Sequence, residues 1–158
     1  ERSWHVERFG VLCQKILKSD KKKLVLLGTK SEENILNRIK GYCPPGKVKV
    51  TPPMNLRVLA GVLKKSRIFI GNDSGMMHLA AMVGTPIVGI FGPGNSKTTG
   101  PYMDAKYYEI LTKNYSCSPC RQHFFKECKP SPHNKPYCLE DITVKNVHDA
   151  LHRLLKRV

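Results

Sequence analysis

The apolar residues of this chain follow two alternating patterns, one with helical spacing and one of short continuous runs. Residues 5–18 repeat apolar side chains every three or four positions, which predicts an amphipathic helix. Continuous apolar runs at residues 24–28 and 48–50 are typical of strands that are buried on both faces of a sheet. Further strands are predicted, with helices between them, at residues 68–70, 86–91 and 107–111.

The regular alternation of helices and strands predicts the fold class. Each crossover is long enough to connect parallel strands, so we expect a doubly wound parallel α/β sheet in a single domain, residues 1–158. Ser31 and Asn55 are expected to cap the helices that follow the first and second strands. Residues 112–140 contain four cysteines and four prolines without a sustained period, which predicts an irregular insertion. Thr143 is expected to cap a terminal helix at residues 143–156.

One strand–turn–helix stretch contains the polar residues expected of a binding site. An apolar strand at residues 68–70 is followed by Asp73, Ser74 and Gly75 at the start of a helix. The carboxyl end of a parallel strand here meets a helix N-terminus, where free N–H groups and the helix dipole favour phosphate. The next strand ends in a second glycine-rich loop at residues 92–96, so both strand ends are expected to open onto one crevice.

Composition and charge narrow the class of protein. The 158 residues are 41% hydrophobic and 25% charged, which suits one globular domain. No apolar run approaches the roughly 20 residues that span a bilayer, and the first residues lack a signal-peptide core, so a soluble or peripheral chain is expected. The net charge of +15 is spread evenly, with Lys21-Lys22-Lys23 as its one run. This distribution argues against specific nucleic-acid binding and favours attraction to an anionic membrane surface.

Four cysteines are concentrated in the predicted insertion. Cys117, Cys120, Cys128 and Cys138 follow a C-x2-C-x7-C-x9-C spacing. Four thiols in a short irregular segment could hold a structural zinc ion, pair as two disulfides or remain free, and the spacing leaves all three states open. Cys13, by contrast, lies on the apolar face of the first predicted helix, where we expect a buried and inert thiol.

An ordered set of motifs resembles the signature of glycosyltransferase family 9, the bacterial ADP-heptose:lipopolysaccharide heptosyltransferases. The motifs are Asp73-Ser74-Gly75-Met76-Met77-His78-Leu79-Ala80-Ala81, Gly84-Thr85-Pro86, Phe91-Gly92-Pro93 and Thr99-Gly100-Pro101. The resemblance spans nearly the whole chain, because several single residues also occur in the family's order. These are Arg2, Trp4, Gly28, Glu32 and Met54.

The resemblance implies a fold and a function. It covers the C-terminal, Rossmann-like, nucleotide-sugar-binding half of a two-domain GT-B enzyme, without the acceptor-binding N-terminal half. It implies ADP-heptose as the donor and an inverting transfer of heptose to the lipopolysaccharide inner core. The core acceptor would bind through the missing half, and the enzyme would be cytoplasmic and peripheral to the inner membrane. Enzymes of this fold usually neutralise the leaving diphosphate without a metal, so no cofactor is expected for transfer.

Four residues are expected at the diphosphate and sugar of the donor. Ser74 would offer its hydroxyl, and Gly75 would let the backbone N–H groups approach the phosphates closely. Arg2 occupies the position of a family lysine that meets the diphosphate or the sugar, with the same charge but a different geometry. Asp73 resembles the family's acid that contacts the sugar hydroxyls, although it could instead cap the helix at residues 75–82.

His78 and the loop after the next strand complete this side of the expected site. His78 is expected to contact phosphate or sugar, facing the crevice if Leu79 and Met82 face the core. Thr99 and Gly100 either close over the phosphates or form only a turn. The competing interpretation of His78, taken alone, is an ordinary structural histidine.

Two residues from the first half of the chain are expected at the nucleoside. Glu32 resembles the acid that holds the ribose hydroxyls, or it compensates a helix dipole. Met54 resembles the residue beside adenine, or it is a core methionine. None of the candidate residues is a convincing general base, which in the family comes from the N-terminal half. We therefore expect donor binding without turnover; the alternatives are a non-catalytic nucleotide-binding module and a basic RNA-associated protein with a zinc knuckle.

Overall fold

The computed structural model describes residues 2–18, 22–118, 120, 123 and 125–158, which form two compact units. The smaller unit is His5–Leu59, and the larger one comprises Ala60–Val158 together with the N-terminal residues up to Trp4. None of the helices in the described part of the chain has the length and apolar character that a bilayer span needs.

The smaller unit contains a two-stranded parallel sheet. Its elements are α1 (Val6–Leu17), β1 (Leu24–Leu26), α2 (Glu33–Gly41) and β2 (Val48–Val50), and α3 (Leu56–Lys64) begins in it. β1 and β2 pair in parallel, with Leu24 opposite Val48. The buried apolar residues come from α1, α2 and β2: Leu12, Cys13, Ile16, Leu17, Leu36, Ile39 and Val48. The predicted cap of α3 is confirmed, because Asn55 Oδ1 accepts the Val58 N–H at 3.0 Å.

The helical segment after β1 does not begin as predicted, because Ser31 is not its N-cap. A 3-10 turn at Lys30–Glu32 precedes α2, and the N-cap residue of this turn is Thr29. Glu32 Oε2 accepts the N–H and the hydroxyl of Thr29, each at 2.8 Å. The Ser31 prediction is wrong because the turn starts earlier, where Thr29 and Glu32 satisfy each other's polar groups.

The larger unit is built on a three-stranded parallel sheet with the order β3-β4-β5. Its elements are β3 (Phe69–Asn72), α4 (Gly75–Met82), β4 (Ile87–Ile90), α5 (Ser96–Thr99), β5 (Tyr108–Leu111), α6 (Tyr137–Glu140) and α7 (Val144–Leu155). In register, Asn72 lies opposite Ile90, and Ile90 lies opposite Leu111. All four residues of β4 are buried, because this strand has a neighbour on each side.

The terminal helix α7 is fixed at its start and along one face. Thr143 Oγ1 accepts the Asn146 N–H at 3.1 Å, and Asn146 Oδ1 accepts the Thr143 N–H at 3.0 Å. This capping box confirms Thr143 as the N-cap, a contribution of about 1 kcal/mol. The helix packs on β4 and β5 and buries one apolar stripe: Val147, Ala150, Leu151 and Leu154.

The α/β class and the parallel pairing of the strands are confirmed. The hydrogen-bonded strands of the described chain form two sheets, one in each unit, and not one continuous sheet. β3 also extends further than the predicted 68–70, because the ladder continues until the Asp73 N–H donates to the Ile90 carbonyl at 3.1 Å. Of the predicted insertion at 112–140, residues 119, 121, 122 and 124 lie outside the described residues, and its described part includes α6.

Candidate functional site

A cavity of about 470 Å³ lies in the larger unit, and three segments of the chain line it. The lining residues are Arg2, Asp73, Ser74, Gly75, His78 and Thr99. β3 ends at Asn72 and α4 begins at Gly75, so the cavity lies where the carboxyl end of a parallel strand meets a helix N-terminus. The structure therefore brings together six of the nine residues that the sequence analysis placed at the donor.

The Asp73 carboxylate is largely enclosed and faces one cation. Its side chain is 11% exposed, and its Oδ2 atom lies 3.4 Å from Nη2 of Arg2, which is 53% exposed. The alternative role of Asp73 as a helix cap is wrong, because Ser74 occupies the N-cap position in extended backbone, with φ −159° and ψ 163°. The carboxylate oxygens of Asp73 are thus placed to accept hydrogen bonds from a ligand.

The first turn of α4 offers unused hydrogen-bond donors to the cavity. The N–H groups of Met77 and His78 donate to the Ser74 carbonyl, at 3.0 and 3.4 Å. Among the described residues, the N–H groups of Gly75 and Met76 and the hydroxyl of Ser74 have no hydrogen-bond partner. Free N–H groups at the positive end of a helix dipole bind phosphate and other anions.

Arg2 is held at the cavity by its neighbour Trp4, although it lies far from Asp73 in sequence. The Trp4 N–H donates to Asn72 Oδ1 at 3.0 Å, and the Trp4 indole N–H donates to the Ile142 carbonyl at 2.8 Å. The indole is 1% exposed, which fixes the N-terminal segment against the end of β3. The sequence analysis missed Asn72, and the only signal was its position between a strand and Asp73.

His78 lines the cavity, but the reason given for its orientation is wrong. The prediction placed Met82 in the core, whereas Met82 is 82% exposed. Residues four apart share a helix face, so His78 and Met82 lie on the same side of α4. The buried side is formed instead by Met77, Ala80 and Ala81.

The loop and short helix after β4 contribute Thr99 and support it. The Thr99 hydroxyl donates to the Asn95 carbonyl at 3.0 Å, while Asn95 Oδ1 accepts the Lys97 N–H at 3.1 Å. Gly100 does not line the cavity, but a β-carbon there would lie 2.4 Å from the Ser96 carbonyl oxygen. Glycine is therefore required at position 100 for the turn that places Thr99. In the same loop Gly94 lies directly against Asp73, a contact that the sequence analysis missed.

The two remaining predicted site residues belong to the smaller unit. Glu32 uses its Oε2 atom within its own turn, where it bonds to Thr29. A β-carbon at Gly28 would lie 3.2 Å from that oxygen, so the glycine gives the carboxylate its space. Met54 is partly buried and precedes α3. The capping interaction supports the local role of Glu32, and its proposed role at ribose would use the other carboxylate oxygen.

The clustered cysteines form no disulfide bond in this structure. Burial, with a smaller contribution from the neighbouring thiols of Cys120, Cys117 and Cys128, raises the pKa of the Cys138 thiol to about 11. The four side chains therefore share one neighbourhood. No three His, Cys, Asp or Glu side chains in the described ranges are arranged to hold a metal ion. A zinc ion would thus require these thiols to turn towards a common point.

Fold and site together define a class of protein. A parallel α/β unit places unpaired helix N–H groups, an arginine and a carboxylate around one cavity. This combination suits a ligand with both anionic groups and hydroxyls, as sugar phosphates and nucleotides have. The class is therefore that of parallel α/β proteins with a polar cavity at the carboxyl ends of their strands, where such folds bind their ligands.

Comparisons with known proteins identify the family. The model of glycosyltransferase family 9 (heptosyltransferase) matches residues 1–129, and the chain belongs to this family. Lipooligosaccharide heptosyltransferase 2 of Campylobacter jejuni is 30% identical over 136 residues, which are 84% of this chain and 40% of that protein. The chain thus spans less than half the length of this relative.

Two solved structures have the same fold. The Escherichia coli ADP-heptose lipopolysaccharide heptosyltransferase II has a TM-score of 0.77 at 18% identity, over 98% of this chain and 43% of that one. The E. coli heptosyltransferase WaaC, solved with ADP, has a TM-score of 0.70 at 21% identity, over 97% of this chain and 40% of that one.

Proposed function

We propose that this chain binds the donor ADP-heptose for an inverting heptosyltransferase that adds heptose to the lipopolysaccharide inner core. The observation that supports the proposal is the cavity at the end of β3, where unpaired N–H groups of α4 lie beside Arg2 and Asp73. Membership of the heptosyltransferase family supports the identity of the donor. The chain is accordingly the donor-binding part of a larger GT-B enzyme.

Two sets of groups orient the donor, one that binds its diphosphate and one that binds its sugar hydroxyls. The diphosphate binds to the Gly75 and Met76 N–H groups and the Ser74 hydroxyl, all of which are donors without a partner in the described structure. A second anion beside the Asp73 carboxylate would be repelled, so Asp73 accepts hydrogen bonds from the sugar hydroxyls. Arg2 then lies between the two parts of the donor and neutralises charge on the leaving diphosphate.

The other predicted site residues have more peripheral roles in this proposal. His78 contacts phosphate or sugar from the part of α4 that lines the cavity. Thr99 closes over the phosphates, and Gly100 shapes the turn that holds Thr99. Glu32 holds the ribose hydroxyls and Met54 lies beside adenine, roles supported by the family resemblance. These protein groups neutralise the leaving group without a metal ion.

In this proposal the chain binds the donor but does not catalyse the transfer of heptose. An inverting transfer needs a base that takes the proton of the acceptor hydroxyl. The largely enclosed carboxylate of Asp73 already faces Arg2 and is assigned to the donor sugar. The base and the lipopolysaccharide acceptor site therefore come from the part of the enzyme that this chain does not span, and the 158 residues alone transfer no heptose.

Calorimetry with ADP, ADP-heptose and a single-stranded RNA tests the proposal. We expect both nucleotides to bind, with ADP-heptose tighter because only it reaches Asp73. Arg2→Gln should weaken nucleotide binding, whereas Arg67→Gln should not. Arg67 is a matched control because it is exposed and precedes β3, at the opposite end of the strand from Asp73.

Each alternative function has its own outcome in the same titrations. Equal affinity for ADP and ADP-heptose would indicate a nucleotide-binding module that does not recognise the sugar. Salt-sensitive RNA binding without nucleotide binding would indicate an RNA-associated protein. Heptose transfer by the isolated chain would contradict the assignment of the base to the rest of the enzyme.

We also propose that the basic surface holds the enzyme at the cytoplasmic, anionic face of the inner membrane, where its acceptor lies. The net charge of +15 supports this location, because Lys and Arg near an anionic surface each contribute about 1 kcal/mol. The chain should sediment with vesicles containing anionic lipid and dissociate at high salt. Equally strong binding to zwitterionic vesicles would contradict an electrostatic attachment.

A further inference from the structure

A pair of histidines on α7 does not belong to the residues that line the cavity. His148 and His152 are one helical turn apart, and their Nε2 atoms are 3.3 Å from each other. The two ring centroids are 4.5 Å apart, with an angle of 72° between the ring planes. Both side chains are at least partly exposed, so a solute can reach them.

The separation of the two nitrogens matches the spacing of two ligands on a tetrahedral ion. Imidazole nitrogens bind zinc at roughly 2.0–2.1 Å, and tetrahedral angles then separate two of them by about 3.3–3.4 Å. Ligands at right angles on an octahedral ion would be separated by about 2.9 Å at the same bond length. The observed 3.3 Å fits the tetrahedral arrangement.

The helix keeps these two positions fixed. Its start is closed by the capping box of Thr143 and Asn146, and its opposite face is buried against β4 and β5. A metal ion would therefore find both ligands already in place and would have little backbone entropy to overcome.

The charges around the pair do not prevent the approach of a cation. Lys145 lies 2.5 Å from the Asp149 carboxylate, and Arg153 lies 2.9 Å from the Glu109 carboxylate. A carboxylate thus compensates each of these two positive charges and reduces its repulsion of a divalent ion, while the exposed Lys156, one turn beyond His152, adds a further positive charge.

We propose that His148 and His152 form a bidentate surface site for zinc. Both imidazoles bind through Nε2 and keep their proton on Nδ1, so the ion replaces the hydrogen bond that the two Nε2 atoms otherwise share. No third His, Cys, Asp or Glu in the described part of the chain completes the set, so water occupies the other positions. The site consequently exchanges its ion readily, unlike a structural zinc site with four protein ligands.

Imidazole NMR spectra of the whole chain, recorded during a zinc chloride titration at pH 7.5, test this site. The resonances of His148 and His152 should shift together and follow a single binding curve. Those of His123 and His133, which contact Glu127 and Glu140, should not move with them. Zinc taken up by cysteine thiols leaves the His148 and His152 signals unchanged, so this readout separates the two kinds of ligand.

Variants complete the test. His148→Gln and His152→Gln should each abolish the shift of the remaining partner, and His123→Gln should leave both shifts intact. Zinc added beyond the amount that the cysteines bind should also raise the melting temperature of the native chain but not that of His152→Gln. The proposal is overturned if millimolar zinc leaves both resonances in place, or if either single variant binds as well as the native chain.

Discussion

Gly94 and Asp73 lie so close together that no side chain fits between them. A β-carbon added to Gly94 would be 2.3 Å from Asp73 Oδ2, well inside van der Waals contact. The glycine-rich loop after β4 therefore fixes the carboxylate that follows β3. Two loops at the ends of neighbouring parallel strands thus set the position of one side chain in the cavity.

Gly94→Ala should displace the Asp73 carboxylate and weaken binding of ADP-heptose more than binding of ADP. We expect a loss of about tenfold for the nucleotide sugar, equivalent to about 1.4 kcal/mol, measured by calorimetry. Gly61→Ala is the matched control, because nothing lies within 4 Å of a β-carbon at that position in α3. Unchanged ADP-heptose affinity in Gly94→Ala would show that Asp73 does not contact the sugar.

Gly75→Ala should weaken ligand binding without lowering the stability of the fold. A β-carbon at Gly75 has nothing within 4 Å, and alanine is favoured over glycine in a helix by roughly 0.5–1 kcal/mol, so stability should hold or rise. The added methyl group would lie at the N–H groups proposed to bind diphosphate, so the affinity for ADP should fall at least tenfold. Thermal unfolding and calorimetry on the same sample measure the two effects. Full ADP affinity in this variant would place the diphosphate elsewhere.

Asn72→Ala should weaken ADP binding through Arg2. Asn72 accepts the Trp4 N–H at 3.0 Å and so anchors the segment that contains Arg2. We expect Asn72→Ala to cost about 1 kcal/mol of binding energy, and much less when Arg2 is already Gln. A double-mutant cycle by calorimetry measures this coupling. If the two losses simply add, Asn72 does not position Arg2.

Cys13 should be unreactive in the folded chain, and its burial should lower the stability of the fold at high pH. Burial, with a smaller contribution from Cys43, raises the pKa of the Cys13 thiol to about 12. Because the folded chain holds this proton more tightly than the unfolded chain, the stabilisation is complete below about pH 9 and is lost towards pH 12, by at most about 1.4 kcal/mol per pH unit.

Two measurements check the Cys13 prediction. Alkylation at pH 8 should modify the exposed Cys117 well before Cys13, which should react only on unfolding. The stability of Cys13→Ala should decline less steeply above pH 9 than that of the native chain. Rapid labelling of Cys13 in the folded protein would contradict its burial.

A structural zinc ion at Cys117, Cys120, Cys128 and Cys138 is also a prediction. Reduced and dialysed protein should retain about one zinc ion per chain, because four thiolates hold the metal tightly. Cys128→Ser should lose this zinc, while Cys43→Ser should keep it. Zinc well below one per chain would reject the metal, and a mass lower by about four hydrogens in protein that was not treated with reductant would indicate two disulfides instead.

The local elements of this fold were largely predictable because they depend on short-range patterns. The helix at 75–82 and the strand at 48–50 agree with α4 and β2 residue for residue. Thr143 was recognised as a cap because side chains that accept the first N–H groups of a helix are short and polar. Ser31 shows the limit of this reasoning, since Thr29 and Ser31 are both suitable caps and only the pairing of Thr29 with Glu32 distinguishes them.

The candidate site was predictable in part. Asp73, Ser74, Gly75 and His78 are adjacent in sequence, so one strand–turn–helix brings them together. Asn72 and Gly94 were missed because their roles depend on contacts with Trp4 and Asp73, residues that lie far from them along the chain. No local pattern encodes such a contact.

By itself the sequence determined the alternation of helices and strands, the family and the strand–turn–helix at Asp73, because each depends on neighbouring residues. Tertiary structure alone decided that Arg2 meets Asp73 across 71 positions and that Ser74, rather than Asp73, occupies the N-cap position of α4. The physical reason is that backbone hydrogen bonds and apolar periodicity act over a few residues. Packing of Trp4 and the parallel sheet joins distant segments into one cavity.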